Sequence, residues 1–232
     1  MPVRFPEGSL HGFLVLRATD GKILAAGDLT QVVRGNRVVT HLVFRFKDGS
    51  LDDERATFSQ NKSFRLISDR HIQRGPAFHM AIDLSVNAVS GQVTVRYRDK
   101  TKLKVEREHF DLPSDLANGV ILDAIKNLPE TVKETKLSYL VATPKPRLVK
   151  LSVSTAPDET FSVAGWRHVA AHFIVKVELG GLAGLIAPFI GKEPADVNVW
   201  ISEGEAPAFV KLEGPLYVGG PAWRVEMMSP VW

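Results

Sequence analysis

The 232-residue sequence contains no cysteine. Disulfide bonds, metal sites with thiolate ligands and a cysteine nucleophile are therefore excluded, while the compartment of the protein stays open. Long hydrophobic runs are also missing, because no apolar stretch approaches the roughly 20 residues that a membrane-spanning helix requires. The fold must then rest on an ordinary hydrophobic core, and a hydrophobic content of 44% is sufficient to form one.

Strong charge of either sign is lacking as well. The formal net charge is +3, well short of the clustered basic face that nucleic-acid binding requires. No nucleotide or cofactor motif is present, so we expect no cofactor, no metal and no nucleic-acid partner. Residues 1–8 lack the charged-then-apolar plan of a signal peptide. We therefore expect either a cytosolic protein or a chain that begins at the mature end of an exported one.

Turn residues are plentiful and regularly spaced. Asp20-Gly21, Arg34-Gly35-Asn36 and Lys47-Asp48-Gly49 separate segments in which apolar and polar residues alternate. Strands are predicted over residues 10–19, 23–33, 38–46, 51–59, 64–73, 82–86 and 92–98. The sequence thus predicts a single mainly β domain over residues 1–232, built on a meandering antiparallel sheet.

The clearest β pattern lies near the C-terminus, in residues 196–228. Val197, Val199 and Ile201 alternate with polar residues and Trp200, and glycines and prolines bracket two further extended segments. This stretch predicts three consecutive antiparallel strands. The charged residues 100–109 instead predict a solvated edge hairpin, since charges discourage pairing with other sheets.

One segment has helical spacing. Apolar residues recur between Leu116 and Leu128, Ser114 stands at the position of an N-cap, and Pro129 ends the pattern. We predict a covering helix over residues 115–128. Gly119 lies inside it and costs about 1 kcal/mol relative to alanine in a helix, so the helix needs tertiary packing.

The densest group of titratable residues contains Asp69, His71 and His79. A carboxylate beside a histidine can orient it as a general base, which makes this region the weak catalytic candidate. In a regular strand, however, Arg65, Ile67, Asp69 and His71 share one face. A surface row of cross-strand ion pairs is therefore the favoured interpretation, and a hydrolase using Asp69, His71 and His79 is the alternative.

Two other groups of potential metal ligands are interpreted as structural. The acidic residues 52–54 follow a turn but lack the spacing of a calcium loop, so a solvated turn is expected. His168 and His172 share a strand face and would be about 13 Å apart, too far for one metal ion.

The four tryptophans are Trp166, Trp200, Trp223 and Trp232. Together they could form a platform for stacking sugars. Trp200 and Trp223 are instead expected to pack in or beside the core, as large aromatic side chains usually do.

Residues 180–191 are apolar and rich in glycine, but they are too short to cross a bilayer and lack a phosphate-loop ending. An apolar stretch of this kind in a soluble monomer must fold inward or cover something. We predict that it lies at one end of the sheet and lines the mouth of an apolar pocket. The predicted ligand-binding residues are Leu182, Leu185, Ile186 and Phe189.

Several short motifs resemble a family of exported bacterial proteins of unknown function, in particular sequences from soil bacteria. The motifs are Ile-Leu-Ala-Ala-Gly-Asp (23–28), Phe-Arg-Phe-Lys-Asp-Gly-Ser (44–50), Phe-Arg-Leu (64–66), Asp-Leu-Ala-Asn-Gly (115–119), Ala-Thr-Pro-Lys-Pro-Arg-Leu-Val-Lys (142–150) and Val-Trp-Ile-Ser-Glu (199–203) followed by Pro207. The resemblance covers nearly the whole chain and supplies no catalytic residues. It implies a strongly curved antiparallel sheet or an incomplete β-barrel in a periplasmic or otherwise extracytoplasmic setting, broadly similar to lipoprotein-carrier half-barrels by analogy of fold.

Three functions follow from these patterns. The first is an envelope protein that binds an apolar or amphipathic small molecule in an open β-barrel. The second is the hydrolase named above, and the third is a structural protein with a filled barrel. An apolar cavity, a cleft with convergent polar groups or a filled interior would distinguish them.

Overall fold

The computed structural model describes residues 1–99, 101–129, 131–163, 165–178 and 194–228. Over these residues the chain forms fourteen strands and one short helix, in the order β1 (Leu10–Ala18), β2 (Ile23–Arg34), β3 (Arg37–Phe46), β4 (Leu51–Asn61), β5 (Ser63–Arg74), β6 (Ile82–Asn87), β7 (Gln92–Asp99), β8 (Lys102–His109), α1 (Ile121–Lys126), β9 (Glu134–Val141), β10 (Arg147–Val163), β11 (Trp166–Val177), β12 (Val197–Ser202), β13 (Ala208–Gly214) and β14 (Trp223–Met227). No helix in this part of the chain is both long enough and apolar enough to cross a membrane.

All fourteen strands belong to one antiparallel sheet. Their order is β8-β7-β6-β5-β4-β3-β2-β1-β14-β13-β12-β11-β10-β9. The first and last strands of the chain, β1 and β14, therefore meet in the middle, with Leu16 opposite Val225. The edge strands β8 and β9 do not pair with each other, so the sheet is not closed. The predicted mainly β class with a curved, incomplete barrel is confirmed.

The strands follow the period-2 pattern of the sequence closely. Residues 196–228 form β12, β13 and β14 as three consecutive antiparallel strands, as predicted, with Val199 opposite Leu212 and Leu212 opposite Val225. The charged residues 102–109 form the edge strand β8, in which every residue is exposed. Both outcomes show that alternation and turn residues determine these strands locally.

The predicted helix is shorter than its sequence pattern. Only Ile121–Lys126 is helical, the N-cap is Val120 rather than Ser114, and Gly119 has a φ of +62°. The prediction of a helix from residue 115 was therefore wrong. The Asn118 side chain donates to the Leu140 carbonyl at 2.9 Å and accepts from the Leu140 backbone N–H at 2.8 Å. These bonds hold the chain against the free edge of β9 and compete with helix formation.

An inner layer, defined as residues 1–9 and 113–129, packs against the sheet. Leu116 and Val120 belong to an apolar cluster with residues of β3–β7, whereas Ala124 and Ile125 belong to a second cluster with residues of β9–β12. The two parts of the layer are joined at Asn127, whose Oδ1 accepts from the backbone N–H groups of residues 4 and 5 at 2.7 Å each. The layer therefore bridges the two halves of the sheet.

A third apolar cluster lies where the halves of the sheet meet, around β1 and β14. Its aromatic members pack edge to face or tilted, with the Phe78 ring 5.3 Å from Tyr217 and 6.1 Å from Trp223. Such contacts add to the burial of large apolar area. The three clusters together make most of the inner face of the sheet apolar from β7 to β9.

Candidate functional site

A polar group interrupts the apolar inner face on β4 and β5. We call Asp52 and Glu54 of β4, together with Asp69 and His71 of β5, the acidic site. Neighbouring positions of β4 face the core, since Ala56 and Phe58 are buried at 1% and 0% exposure. Because side chains two residues apart in a strand share a face, Asp52 and Glu54 face inward as well. The acidic site is thus part of the interior.

A β-bulge turns Asp69 and His71 to the inner face of the sheet, the face that Asp52 and Glu54 occupy. The register of β4 with β5 shifts between Thr57 and Phe58, which are opposite Ser68 and Leu66, so Ile67 is the extra residue. A bulge reverses the facing of the residues beyond it. The predicted surface row of ion pairs is therefore wrong for Asp69, which is only 3% exposed.

His71 is held by a carboxylate on each side. Its Nε2 lies 2.6 Å from Oδ1 of Asp52, and its Nδ1 lies 4.0 Å from Oε1 of Glu54. The Gln73 side chain donates to Oδ2 of Asp52 and to the Leu216 carbonyl, both at 3.0 Å. The orientation of Asp52 is therefore fixed by partners on both of its oxygens. The expectation of a solvated turn at residues 52–54 was wrong, because Asp52 is buried within β4.

Asp69 has no comparable support. Neither of its buried carboxylate oxygens has a hydrogen-bond partner among the described residues. The turn of the inner layer lies directly against it, since a Cβ built on Gly119 would be 3.1 Å from Oδ1 of Asp69 and 2.4 Å from the Ala56 Cβ. Buried polar groups in folded proteins almost always have partners, so Asp69 is an exception that requires an explanation.

The pKa values in the acidic site are shifted by burial and by the presence of three carboxyl groups around one histidine. Burial raises the pKa of Asp69 well above its usual range, and the neighbouring Glu54 adds to the increase. Burial also raises the pKa of Glu54, although His71 opposes this. Burial alone would lower the pKa of His71, but the carboxylates of Asp52 and Glu54 outweigh it and raise the pKa to about 10. His71 is thus a cation at neutral pH, and the site favours additional protons or positive charge.

The half-buried Tyr139 of β9 precedes Leu140, which belongs to the same apolar cluster as Ala56 and Phe58 of β4. Burial raises the pKa of the Tyr139 hydroxyl, and Glu54, Asp69 and Asp52 raise it further. A strand from the other end of the sheet therefore packs, through Leu140, into the cluster beside the acidic site.

The three predicted catalytic residues do not form one group. Asp69 and His71 lie together, but His79 is exposed and its ring packs 5.4 Å from that of Tyr217. Sequence reasoning missed Asp52 and Glu54 as neighbours of His71. The signal that could have found them is their alternation with Ala56 and Phe58 in one strand.

His168, His172 and three of the four tryptophans also lie among the described residues. His168 and His172 lie in strand β11, as expected. The His172 ring stacks on Trp200 at 4.4 Å with an interplanar angle of 6°, and the Lys211 ammonium lies 3.8 Å from the Trp200 ring centre. Trp200 and Trp223 are each 6% exposed, which confirms their predicted packing. Trp166, in contrast, is 76% exposed.

The predicted ligand-binding residues Leu182, Leu185, Ile186 and Phe189 lie outside the described residues. The surface depressions in the part of the chain that the structure covers include one of about 380 Å³ along β7 and β8 and one of about 620 Å³ beside Val32 and Val39 on β2 and β3. Neither includes a residue of the acidic site. Within the described ranges, no three His, Asp or Glu side chains are arranged to hold a metal ion.

No protein-family model matches the chain, and no curated protein matches it. The chain is similar to a solved structure described as a beta-barrel-like protein of domain of unknown function DUF1849 from Brucella abortus. The match covers 97% of each chain with 10% sequence identity and a TM-score of 0.48.

Proposed function

We propose that this chain is a binding protein of the cell envelope, and that its open β-barrel holds an apolar or amphipathic small molecule. The observation that carries this proposal is the apolar inner face of an unclosed sheet. Leu16, Val199 and Phe173, from three different strands, are all buried on it. A closed and self-sufficient barrel has no free edges, whereas this sheet leaves β8 and β9 unpaired with each other.

The inner layer determines how a ligand would reach the apolar face of the sheet. The inner layer covers this face, so a ligand must displace part of that layer. The layer contains a helix of only six residues, and the N-terminus of that helix lacks a side-chain cap. Short helices without such a cap contribute little stability of their own, so displacing part of the layer requires less free energy than separating paired strands.

The apolar residues 181–190 complete the proposal. In the sequence they connect β11, which ends at Val177, to β12, which begins at Val197. We propose that Leu182, Leu185, Ile186 and Phe189 line the mouth through which the ligand enters. The placement in the envelope is supported by the sequence resemblance to exported bacterial proteins.

Titration with N-phenyl-1-naphthylamine, an uncharged probe that fluoresces in apolar surroundings, tests the proposal. We expect saturable binding of one probe per chain. Leu185→Asp should weaken binding, because it places a charge in the proposed mouth. Val89→Asp is the matched control, since Val89 is 78% exposed in the turn between β6 and β7 and should leave binding unchanged. If no saturable binding is found, the proposal fails and the filled-barrel alternative replaces it.

A further inference from the structure

The acidic site holds more carboxyl groups than cations among the described residues. Asp52, Glu54 and Asp69 supply three carboxyl groups, and His71 is the one cation among the described residues that contacts them. The described Arg and Lys side chains form their ion pairs elsewhere; Arg70 of β5, for example, pairs with Asp83 at 2.9 Å on the opposite face. Because an unpaired buried charge is costly, an interior group of this composition favours an additional proton or an additional positive charge.

Asp69 is the carboxyl group of the acidic site that lacks a hydrogen-bond partner among the described residues. Asp52 has both oxygens occupied, by His71 and Gln73. Asp69 is almost completely buried, and both of its oxygens lack partners among the described residues. A carboxylate in this state favours either a proton or a cationic hydrogen-bond donor.

We propose that the acidic site binds the ammonium group of a cationic amphiphile, with the Asp69 carboxylate as the principal acceptor. The inference rests on the proposed function and names its ligand class. An ammonium group has three N–H donors, which suits the carboxyl groups of Asp69 and Glu54. The arrangement does not suit a metal ion, since no three of the described His, Asp and Glu side chains are arranged to hold one.

The residues around the acidic site indicate which edge of it meets solvent and where the apolar part of a ligand would lie. The Glu54 side chain is 24% exposed and that of His71 is 14% exposed, so solvent reaches this edge of the acidic site. Ala56 lies opposite Asp69 and belongs, with Leu116, to the apolar cluster that continues towards β7. An aliphatic chain attached to the ammonium group would therefore have an apolar surface to lie against, which a small hydrophilic cation would not use.

Competition among amphiphiles of equal chain length tests this inference. Dodecylamine, dodecanol and dodecanoate, each below its micellar concentration, are compared as displacers of N-phenyl-1-naphthylamine from the full chain. We expect dodecylamine to displace the probe at a concentration roughly tenfold or more below that of dodecanol, as one charge-assisted hydrogen bond would provide. Dodecanoate should be the weakest, because its charge has the same sign as the site.

Two variants locate the effect. Asp69→Asn should remove most of the preference for dodecylamine over dodecanol. Asp53→Asn is the matched control, because Asp53 lies in β4 between Asp52 and Glu54 but pairs with His41 on the opposite face. It should keep the full preference.

The outcomes separate the two proposals. If the three amphiphiles displace the probe equally, or if Asp69→Asn keeps the preference, the cationic site is overturned while the binding function stands. If neither the probe nor any amphiphile binds, the proposed function itself is overturned.

Discussion

Replacing Gly119 with alanine is expected to lower the free energy of unfolding by about 2–5 kcal/mol. Two effects contribute. The residue has a φ of +62°, a conformation that costs a residue with a side chain about 1–2 kcal/mol. The new methyl group would also lie 2.4 Å from the Ala56 Cβ, and overpacking of this kind costs about 1–3 kcal/mol.

A second glycine separates the two contributions. Gly21, in the turn between β1 and β2, has a φ of +87°, but a methyl group added there would have nothing within 4 Å. Gly21→Ala should therefore show the conformational cost alone, about 1–2 kcal/mol. In an Ala56→Gly background, the cost of Gly119→Ala should fall towards that of Gly21→Ala, because the steric overlap is gone.

Urea unfolding followed by circular dichroism gives each free energy. The stability of Gly119→Ala also distinguishes the observed turn from a helix at this position. If residue 119 lay within a regular helix, as its sequence context predicts, alanine would stabilise the protein by about 1 kcal/mol. A Gly119→Ala variant that is as stable as the parent, or more stable, would show that the inner layer does not approach β4 as described.

Three further predictions concern the acidic site and the inner layer. His71→Ala should lower the free energy of unfolding by about 3–5 kcal/mol, because it leaves buried carboxylates without a cation. His41→Ala, on the outer face, should lower it by less than about 1 kcal/mol. Equal losses for the two variants in urea unfolding would contradict the burial of the acidic site. Because burial raises the pKa of Asp69 in the folded state, its contribution to stability is full below the ordinary value of 3.8 and is lost as the pH rises above it. Asp69→Asn should therefore be more stable than the parent near about pH 7 and lose that advantage near about pH 4, and a parent that is the more stable at about pH 7 would refute this assignment. Asn127→Ala should lower the free energy of unfolding by about 1–3 kcal/mol, since it removes the acceptor of two backbone N–H groups. It should also speed proteolytic cleavage within residues 1–9. An unchanged cleavage rate would show that Asn127 does not hold this segment.

The strands could be predicted because their signal is local. The alternation at Val197, Val199 and Ile201 and the turns beside Gly21 and Gly49 require no knowledge of distant residues. The antiparallel meander followed from the regular spacing of these strands and turns, whereas the curved, incomplete barrel was implied by the family resemblance. The pairing of β1 with β14 in the middle of the sheet is a long-range feature, which the alternation of single strands does not encode.

The helix and the acidic site could not be predicted in full because distant residues decide them. Asn118 leaves the helical pattern because Leu140, more than twenty positions later, offers it two backbone hydrogen bonds. Asp69 turns inward because a single extra residue, Ile67, shifts the register of β5 against β4. A bulge changes the facing of every residue that follows it, and the sequence of β5 carries no glycine or proline to mark the position.

Native mass spectrometry of the intact chain, purified without detergent or organic solvent and then incubated with dodecylamine, tests the central claim most directly. We predict a non-covalent complex of one amphiphile per chain, formed by the parent and by Asp53→Asn and strongly reduced in Asp69→Asn. A bare protein mass at every amphiphile concentration below micelle formation would contradict the claim that this open barrel holds an amphipathic ligand.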